Sequence, residues 1–180
     1  MLLDVIAVAL WAMLPAYVPN NAAVLAGGGR PIDGGRVLGG ARLLGDGKTW
    51  RGAIVGTLVG AAVALVLNAV VVSARGFLGV ELPRFPPAAI VGLPAGAILG
   101  DIAASFLKRR TGRERGAPFP GVDQLDFVVG ALVVTALIAP AWFGEVFTPT
   151  VILVVLLVTP LLHIGTNGLA YWAGLKDEPW

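Results

Sequence analysis

Apolar residues run along this chain in five long blocks, roughly 2–26, 52–74, 86–107, 126–143 and 148–173, with most charged residues confined to the connections. About 20 mainly apolar residues cross a hydrocarbon core, so the pattern predicts an all-α polytopic membrane protein with five transmembrane helices. The fourth block is the shortest. Pro15, Pro19, Asn20 and Asn21 interrupt the inner part of the first block, which predicts a kink whose freed carbonyls face protein rather than lipid. Gly52, Gly56 and Gly60 recur every four residues in the second, the spacing of close helix packing. No linker-like tract or repeat appears, so residues 1–180 are expected to form a single membrane-embedded domain.

Composition strengthens this reading. The chain is 57% hydrophobic and only 13% charged, with a mean hydropathy of +0.84, against roughly 25% charged residues in soluble domains. Cysteine is absent, which excludes a disulfide framework, thiolate catalysis and Cys-ligated zinc and leaves acids, bases and hard metals. Asp4 is the first charge, and the basic n-region of a signal peptide is missing, so the first block is expected to remain as a span.

Charge orients the bundle. Arg30, Arg36, Arg42, Lys48 and Arg51 lie on the first connection, and Lys108, Arg109, Arg110, Arg113 and Arg115 on the third. The second carries only Arg75 and Arg84 as cations and the fourth only Glu145. The positive-inside rule then places two basic loops, about 27–51 and 108–125, and Lys176 in the cytoplasm, with the N-terminus outside.

The first basic loop, GGGRPIDGGRVLGGARLLGDGKTWRG, is either a disordered connector or a phosphate site, and its composition favours the latter. Glycine lets backbone N–H groups approach phosphate oxygens, and interleaved Arg and Lys supply counter-charge. It is not a Walker loop, because the first glycine of that motif would have to fall at Arg42. In the other basic region, Asp101, Ser105 and Lys108 share one helix face. Asp101 sits inside the apolar block, where an unpaired carboxylate costs about 2.5–3.5 kcal/mol even on lenient scales, so it is expected to face the bundle beside a cation, with Lys108 and Arg109 the nearest in sequence.

Beyond a Pro120-Gly121 turn, Asp123 and Asp126 lie three apart at a predicted helix N-terminus. Capping accounts for one such aspartate but not for a second, one turn further into apolar sequence. Hard oxygen ligands of this kind suit Mg²⁺, which takes one or two carboxylates and completes its octahedron with water and substrate phosphates. Metal-binding carboxylates, phosphate-binding cations and apolar walls together predict phosphoryl or nucleotidyl transfer to a membrane lipid.

The run GD(x3)S(x2)KR, then Pro-Gly, then DxxD resembles the signature of the CTP:phosphatidate cytidylyltransferases. Gly100, Asp101, Ser105, Lys108, Arg109, Pro120, Gly121, Asp123 and Asp126 occupy it. Asn21, the Gly-Arg-rich stretch and Lys48-Thr49-Trp50-Arg51-Gly52 resemble that family's other cytoplasmic block. The chain departs from the bacterial members, which have Lys-Asp where it has Arg113-Glu114 and a His-Gly-Gly insertion that it lacks. Five spans and PFPGVDQLDF are instead similar to the archaeal branch, the CDP-archaeol synthases, along essentially the whole chain.

That resemblance implies a reaction of CTP with an isoprenoid ether lipid phosphate, 2,3-bis-O-geranylgeranylglycerol 1-phosphate, giving a CDP-lipid and pyrophosphate at the cytoplasmic side of the cell membrane. It further implies Mg²⁺ on Asp123, Asp126 and Asp101. Lys48, Lys108 and Arg109, with Arg36 and Arg51, would balance phosphate charge, and Ser105 and Thr49 would orient phosphates. Asp33 either contacts metal or nucleotide or caps a turn beside Arg36. The expected partners are CTP, the lipid phosphate and the bilayer, with no nucleic acid; oligomeric state is left open.

Other polar residues carry less. His163 and Asn167 suit an interhelical hydrogen bond better than a proton relay. Trp11, Trp142 and Trp172 suit an interfacial belt, and Trp50 the loop block. Two other classes compete. An ion-coupled transporter or channel would put polar residues at the midplane of inverted repeats, whereas here they cluster at the cytoplasmic ends. A CDP-alcohol phosphatidyltransferase would follow Asp-Gly with AR(x8)G(x3)D(x3)D, which neither Asp33-Gly34 nor Asp46-Gly47 does.

Overall fold

The computed structural model describes residues 2–112, 121–172 and 174, apart from the side chains of residues 167 and 170. Arg113, Glu114, Arg115, Pro120 and Lys176 lie outside these described residues. The first apolar block folds as α1 (Leu2–Tyr17) and α2 (Pro19–Leu25), broken at Val18 as the prolines predict. Pro19 lacks the N–H that would bond the Pro15 carbonyl. That carbonyl instead faces α3 (Trp50–Leu78), where a Cβ on Gly60 would lie 2.6 Å from it and a Cβ on Gly56 would lie 2.6 Å from the Pro19 carbonyl. Kink and glycine stripe are thus two sides of one contact.

A second stripe, Gly92, Gly96 and Gly100, runs along α4 (Pro87–Arg110) and meets α5 (Val122–Ile138). A Cβ on Gly96 would lie 2.6 Å from the Gly130 carbonyl, and one on Gly100 only 2.1 Å from the Asp126 carbonyl. The two helices therefore touch backbone to backbone, and this contact sets the start of α5 against the inner part of α4 that carries Asp101. After α5 the chain breaks at Ala139 into α6 (Pro140–Val146) and then α7 (Pro149–Trp172). Met13, Leu93, Val128 and Val155 are buried where α1, α4, α5 and α7 meet.

Among the described residues, four helical stretches are long and apolar enough to cross a membrane: 2–25, 50–78, 87–110 and 149–166. At 17 residues α5 is shorter. At the end of the bundle away from Asp101, Asp123 and Asp126, the Trp11 indole donates to the Pro83 carbonyl at 2.9 Å and the Trp142 indole to the Arg84 carbonyl at 2.7 Å. Asn68 pairs both ways with the Phe85 backbone at 2.8 Å.

The expectation of a purely helical chain needs one correction. Within the first basic loop, β1 (Val37–Leu38) pairs antiparallel with β2 (Ala41–Arg42), in register Val37 with Arg42 and Leu38 with Ala41. Gly39 and Gly40 turn between them at φ 57° and 80°, values that a two-residue type I′ turn needs and a side chain resists. The loop is an ordered hairpin rather than a slack connector.

Candidate active site

The hairpin is organised around Asp33. This buried carboxylate receives Arg42 Nη2 at 2.7 Å and Nε at 3.1 Å, together with the backbone N–H groups of Gly35, Leu44 and Gly45. The Arg42 guanidinium, aided by those N–H groups, holds the Asp33 carboxyl well below the usual carboxylate range, and the same pairing raises Arg42. Of the two roles expected for Asp33, the loop-building one describes its contacts, with Arg42 rather than Arg36 as partner. Arg110, at the end of α4, donates to the carbonyls of Leu38, Ala41 and Arg42 and so ties the hairpin to the bundle. Sequence reading assigned Arg110 no role; unsatisfied hairpin carbonyls are invisible in a sequence.

The base of the hairpin delivers Lys48. Ile32 N–H donates to the Lys48 carbonyl at 2.8 Å and Trp50 N–H to the Arg30 carbonyl at 3.2 Å. Thr49, expected to orient phosphate, is buried and caps α3 by accepting from Gly52 N–H at 3.1 Å. Arg51, expected to bind phosphate, donates to the carbonyls of Ala26 and Gly27 and closes the C-terminus of α2. Arg36 is exposed in the hairpin, and Arg109 lies beside Gly45.

The carboxylates converge. Asp101, Asp123 and Asp126 all border one cavity of about 420 Å³, together with Lys108, Asn20, Asn21, Tyr17 and His163. Lys48 Nζ lies 2.6 Å from Asp101 Oδ2, and Lys108 Nζ contacts Asp123 Oδ1. This corrects the pairing expected along α4: Lys108 reaches across to α5, and Asp101 takes its cation from the loop. Gln124, not an aspartate, accepts the Gly121 N–H at the start of α5, at 2.5 Å. Asp126 Oδ1 accepts from Phe127 N–H at 2.6 Å. Ser105 and Arg109 do not line the cavity.

Sequence reading missed part of this site. Asn20 Oδ1 is buried with no hydrogen-bond partner among the described residues, and Asn20 also borders the small adjoining space lined by Lys48 and Asp101. Tyr17 bonds the buried Thr159 at 2.9 Å in the wall of the cavity. The break in α1–α2 was the available signal, since it directs Asn20 and Asn21 inward. Among the described residues, no three Asp, Glu or His side chains are grouped to hold a metal ion.

A polar, lysine-bridged cavity at one end of an apolar bundle can bind a polyphosphate beside the bilayer, and comparison with known proteins narrows the choice. The family model described as CarS-like, CDP-archaeol synthase, matches residues 2–180. The chain belongs to this CDP-archaeol synthase family. The CDP-archaeol synthase of Halobacterium salinarum is 67% identical over 179 residues, covering 99% of each chain. That of Methanococcoides burtonii is 50% identical, covering 93% of this chain and 100% of the relative. A solved structure of an intramembrane enzyme for archaeal membrane lipid biosynthesis matches with a TM-score of 0.69 at 40% identity, covering 88% of this chain and 92% of that one. Membership in the CDP-archaeol synthase family displaces the transporter and phosphatidyltransferase alternatives.

Proposed function

We propose that this cavity transfers a cytidylyl group from CTP to an isoprenoid ether lipid phosphate, forming CDP-archaeol and pyrophosphate for archaeal phospholipid synthesis. The convergence of Asp101, Asp123 and Asp126 on one cavity, two of them already lysine-paired, carries the reading. A lipid phosphate oxygen forms a new bond to the α-phosphorus, the α–β phosphoanhydride bond breaks, and the electron pair leaves with pyrophosphate. The attacking oxygen is anionic, so no side-chain nucleophile is required. Lys48 and Lys108 each turn from a carboxylate to a phosphate oxygen, placing positive charge where the leaving group gathers negative charge.

The donor set fits Mg²⁺. All three aspartates offer hard oxygens, and two carboxylates suffice when phosphates and water complete the shell. Asp123 and Asp126, one turn apart on α5, would hold the ion, with Asp101 facing them from α4 across the cavity, and the ion would supply charge neutralisation at the phosphates. The buried Asn20 Oδ1, unbonded among the described residues, supplies an acceptor on the wall of the same cavity.

In this reading the whole chain is one domain with five spans, α5 being the fourth. The N-terminus lies outside, and the hairpin and the 108–125 segment face the cytoplasm, in keeping with the basic residues on both. The test is direct: incubate purified protein with labelled CTP, Mg²⁺ and either the isoprenoid lipid phosphate or diacyl phosphatidic acid. CDP-lipid and pyrophosphate are expected with the isoprenoid substrate. Labelled CTP left unchanged with both lipids would reject the reaction.

A further inference from the structure

The hairpin is fastened to α4 at two points. At its base Lys48 meets Asp101. At its turn Arg110, the last residue of α4, donates from Nη1 to the Leu38 carbonyl at 2.5 Å and from Nη2 to the carbonyls of Ala41 and Arg42 at 3.2 and 3.0 Å. The helix rise separates the two points on α4 by about 14 Å, and Gly45 meets Arg109 between them. The bonds of Asp33 stiffen the hairpin from within, ending on Gly35, Arg42, Leu44 and Gly45. They do not reach the helices, and a ribbon of two short strands is marginal without outside support. Arg110 differs from Lys48 and Lys108 in that it does not border the carboxylate cavity and, among the described residues, pairs with no carboxylate. Its guanidinium carbon stands 5.5 Å from the centre of the Phe106 ring, one turn back on α4, which steadies the fork.

We propose that Arg110 is a positioning residue for the transfer reaction: by gripping the turn of the hairpin it keeps the hairpin aligned with α4 and so fixes where Lys48 Nζ enters the cavity. This rests on the cytidylyl-transfer reading above. Released at its turn, the hairpin tilts about its base, and Lys48 stands in that base. A displacement of about 1 Å in a group that serves the transition state can cost about 10²-fold in rate. The planar fork accounts for the choice of residue. It reaches carbonyls on both strands at once, Leu38 on β1 with Ala41 and Arg42 on β2, whereas a lysine ammonium donates from a single point. The same contacts argue against a direct phosphate role, because both Nη groups are engaged on carbonyls away from the cavity.

The test measures turnover by the full-length protein in detergent micelles with CTP, Mg²⁺ and the isoprenoid lipid phosphate. Arg110→Met is expected to lower kcat about tenfold, within the range for a misplaced group, with KM for the lipid at its wild-type value. In a Lys48→Met background the same substitution should change kcat by less than about twofold, because its effect runs through Lys48. Arg110→Lys keeps the charge without the fork and should resemble Arg110→Met. Hydrogen exchange in Arg110→Met should quicken at the hairpin amides of Arg36 and Leu43, which bond within the hairpin, and stay at wild-type rates in α4 and α5, which also establishes a folded bundle. Should Arg110→Met fail to insert, Phe106→Leu, which removes only the ring beside the guanidinium, is compared in both backgrounds, with a smaller loss expected. Unchanged kcat, a loss that persists in full without Lys48, or recovery of turnover by Arg110→Lys overturns the proposal. Wild-type protein that forms no CDP-lipid, while Arg110→Met still loosens the hairpin, would instead defeat the reaction itself, so the two failures are distinguishable.

Discussion

Lys48 Nζ lies 2.6 Å from Asp101 Oδ2, joining the base of the hairpin to α4 across 53 positions of sequence. A pair held only for stability should survive exchange of its charges, whereas a lysine needed at a phosphate should not. Lys48→Met is expected to lower kcat by about 10²–10³, the usual effect of removing one donor to a developing oxyanion. The exchanged double variant Lys48→Asp/Asp101→Lys should recover thermal stability without turnover. Recovery of both would make the pair purely structural.

Asp123→Asn and Asp126→Asn should each abolish detectable product formation while the protein still inserts and retains its helical circular dichroism. Chelation should stop the wild-type reaction and Mg²⁺ restore it. Near-normal activity in either variant would remove that aspartate from the metal assignment.

Asn20 presents a buried oxygen with no hydrogen-bond partner among the described residues. Replacing such a group by an apolar one of similar size removes a desolvation cost of about 1–3 kcal/mol. Asn20→Leu is therefore expected to keep or raise the thermal midpoint while raising KM for CTP. Lower stability at unchanged KM would give the residue a packing role instead.

Two glycine-to-alanine changes should differ in sign. At Gly100 the new methyl would stand 2.1 Å from the Asp126 carbonyl, and overpacking of this kind costs about 1–3 kcal/mol or more. Gly76, on α3, has no atom within 4 Å of the added Cβ, so alanine there should gain up to about 1 kcal/mol from helix propensity. Chemical unfolding of the two variants in one detergent gives the comparison.

Asp33 makes the hairpin pH-sensitive in one direction only. Its native carboxyl lies below the unfolded value, so its stabilisation is complete above the ordinary carboxylate range near pH 4 and is lost as pH falls through the lower native value. Asp33→Asn should speed hydrogen exchange at Leu44 and Gly45 at neutral pH, and the difference from wild type should shrink only in strong acid. An equal difference at all pH values would place the effect outside the Asp33 charge.

Much of this molecule was legible before folding. The α1–α2 break followed from Pro15 and Pro19, and the packing face of α3 from Gly52, Gly56 and Gly60. Asp101, Asp123 and Asp126 were identifiable because each is a costly residue at the edge of an apolar block. Partner choice was not legible. Lys108 lies on the same helix face as Asp101 yet contacts Asp123, since Asp101 is about two turns away along α4 and helix packing brings the start of α5 alongside. Thr49 and Arg51 match a phosphate-loop pattern, but orphan backbone groups at the ends of α3 and α2 claim their side chains. The Gly92, Gly96 and Gly100 series passed unnoticed although its spacing is that of the α3 stripe.

At Gly96 and Gly100 the contact between α4 and α5 is backbone on backbone, with no side chain there to repack. A shift of either helix there must carry the other with it, so Asp101, Asp123 and Asp126 travel as one body. Lys48 belongs to a separate segment, held to that body by Arg110 and by its own ion pair. Whatever alters the spacing of opposite charges at Asp101 therefore separates hairpin from helix pair and leaves the three carboxylates in place relative to one another.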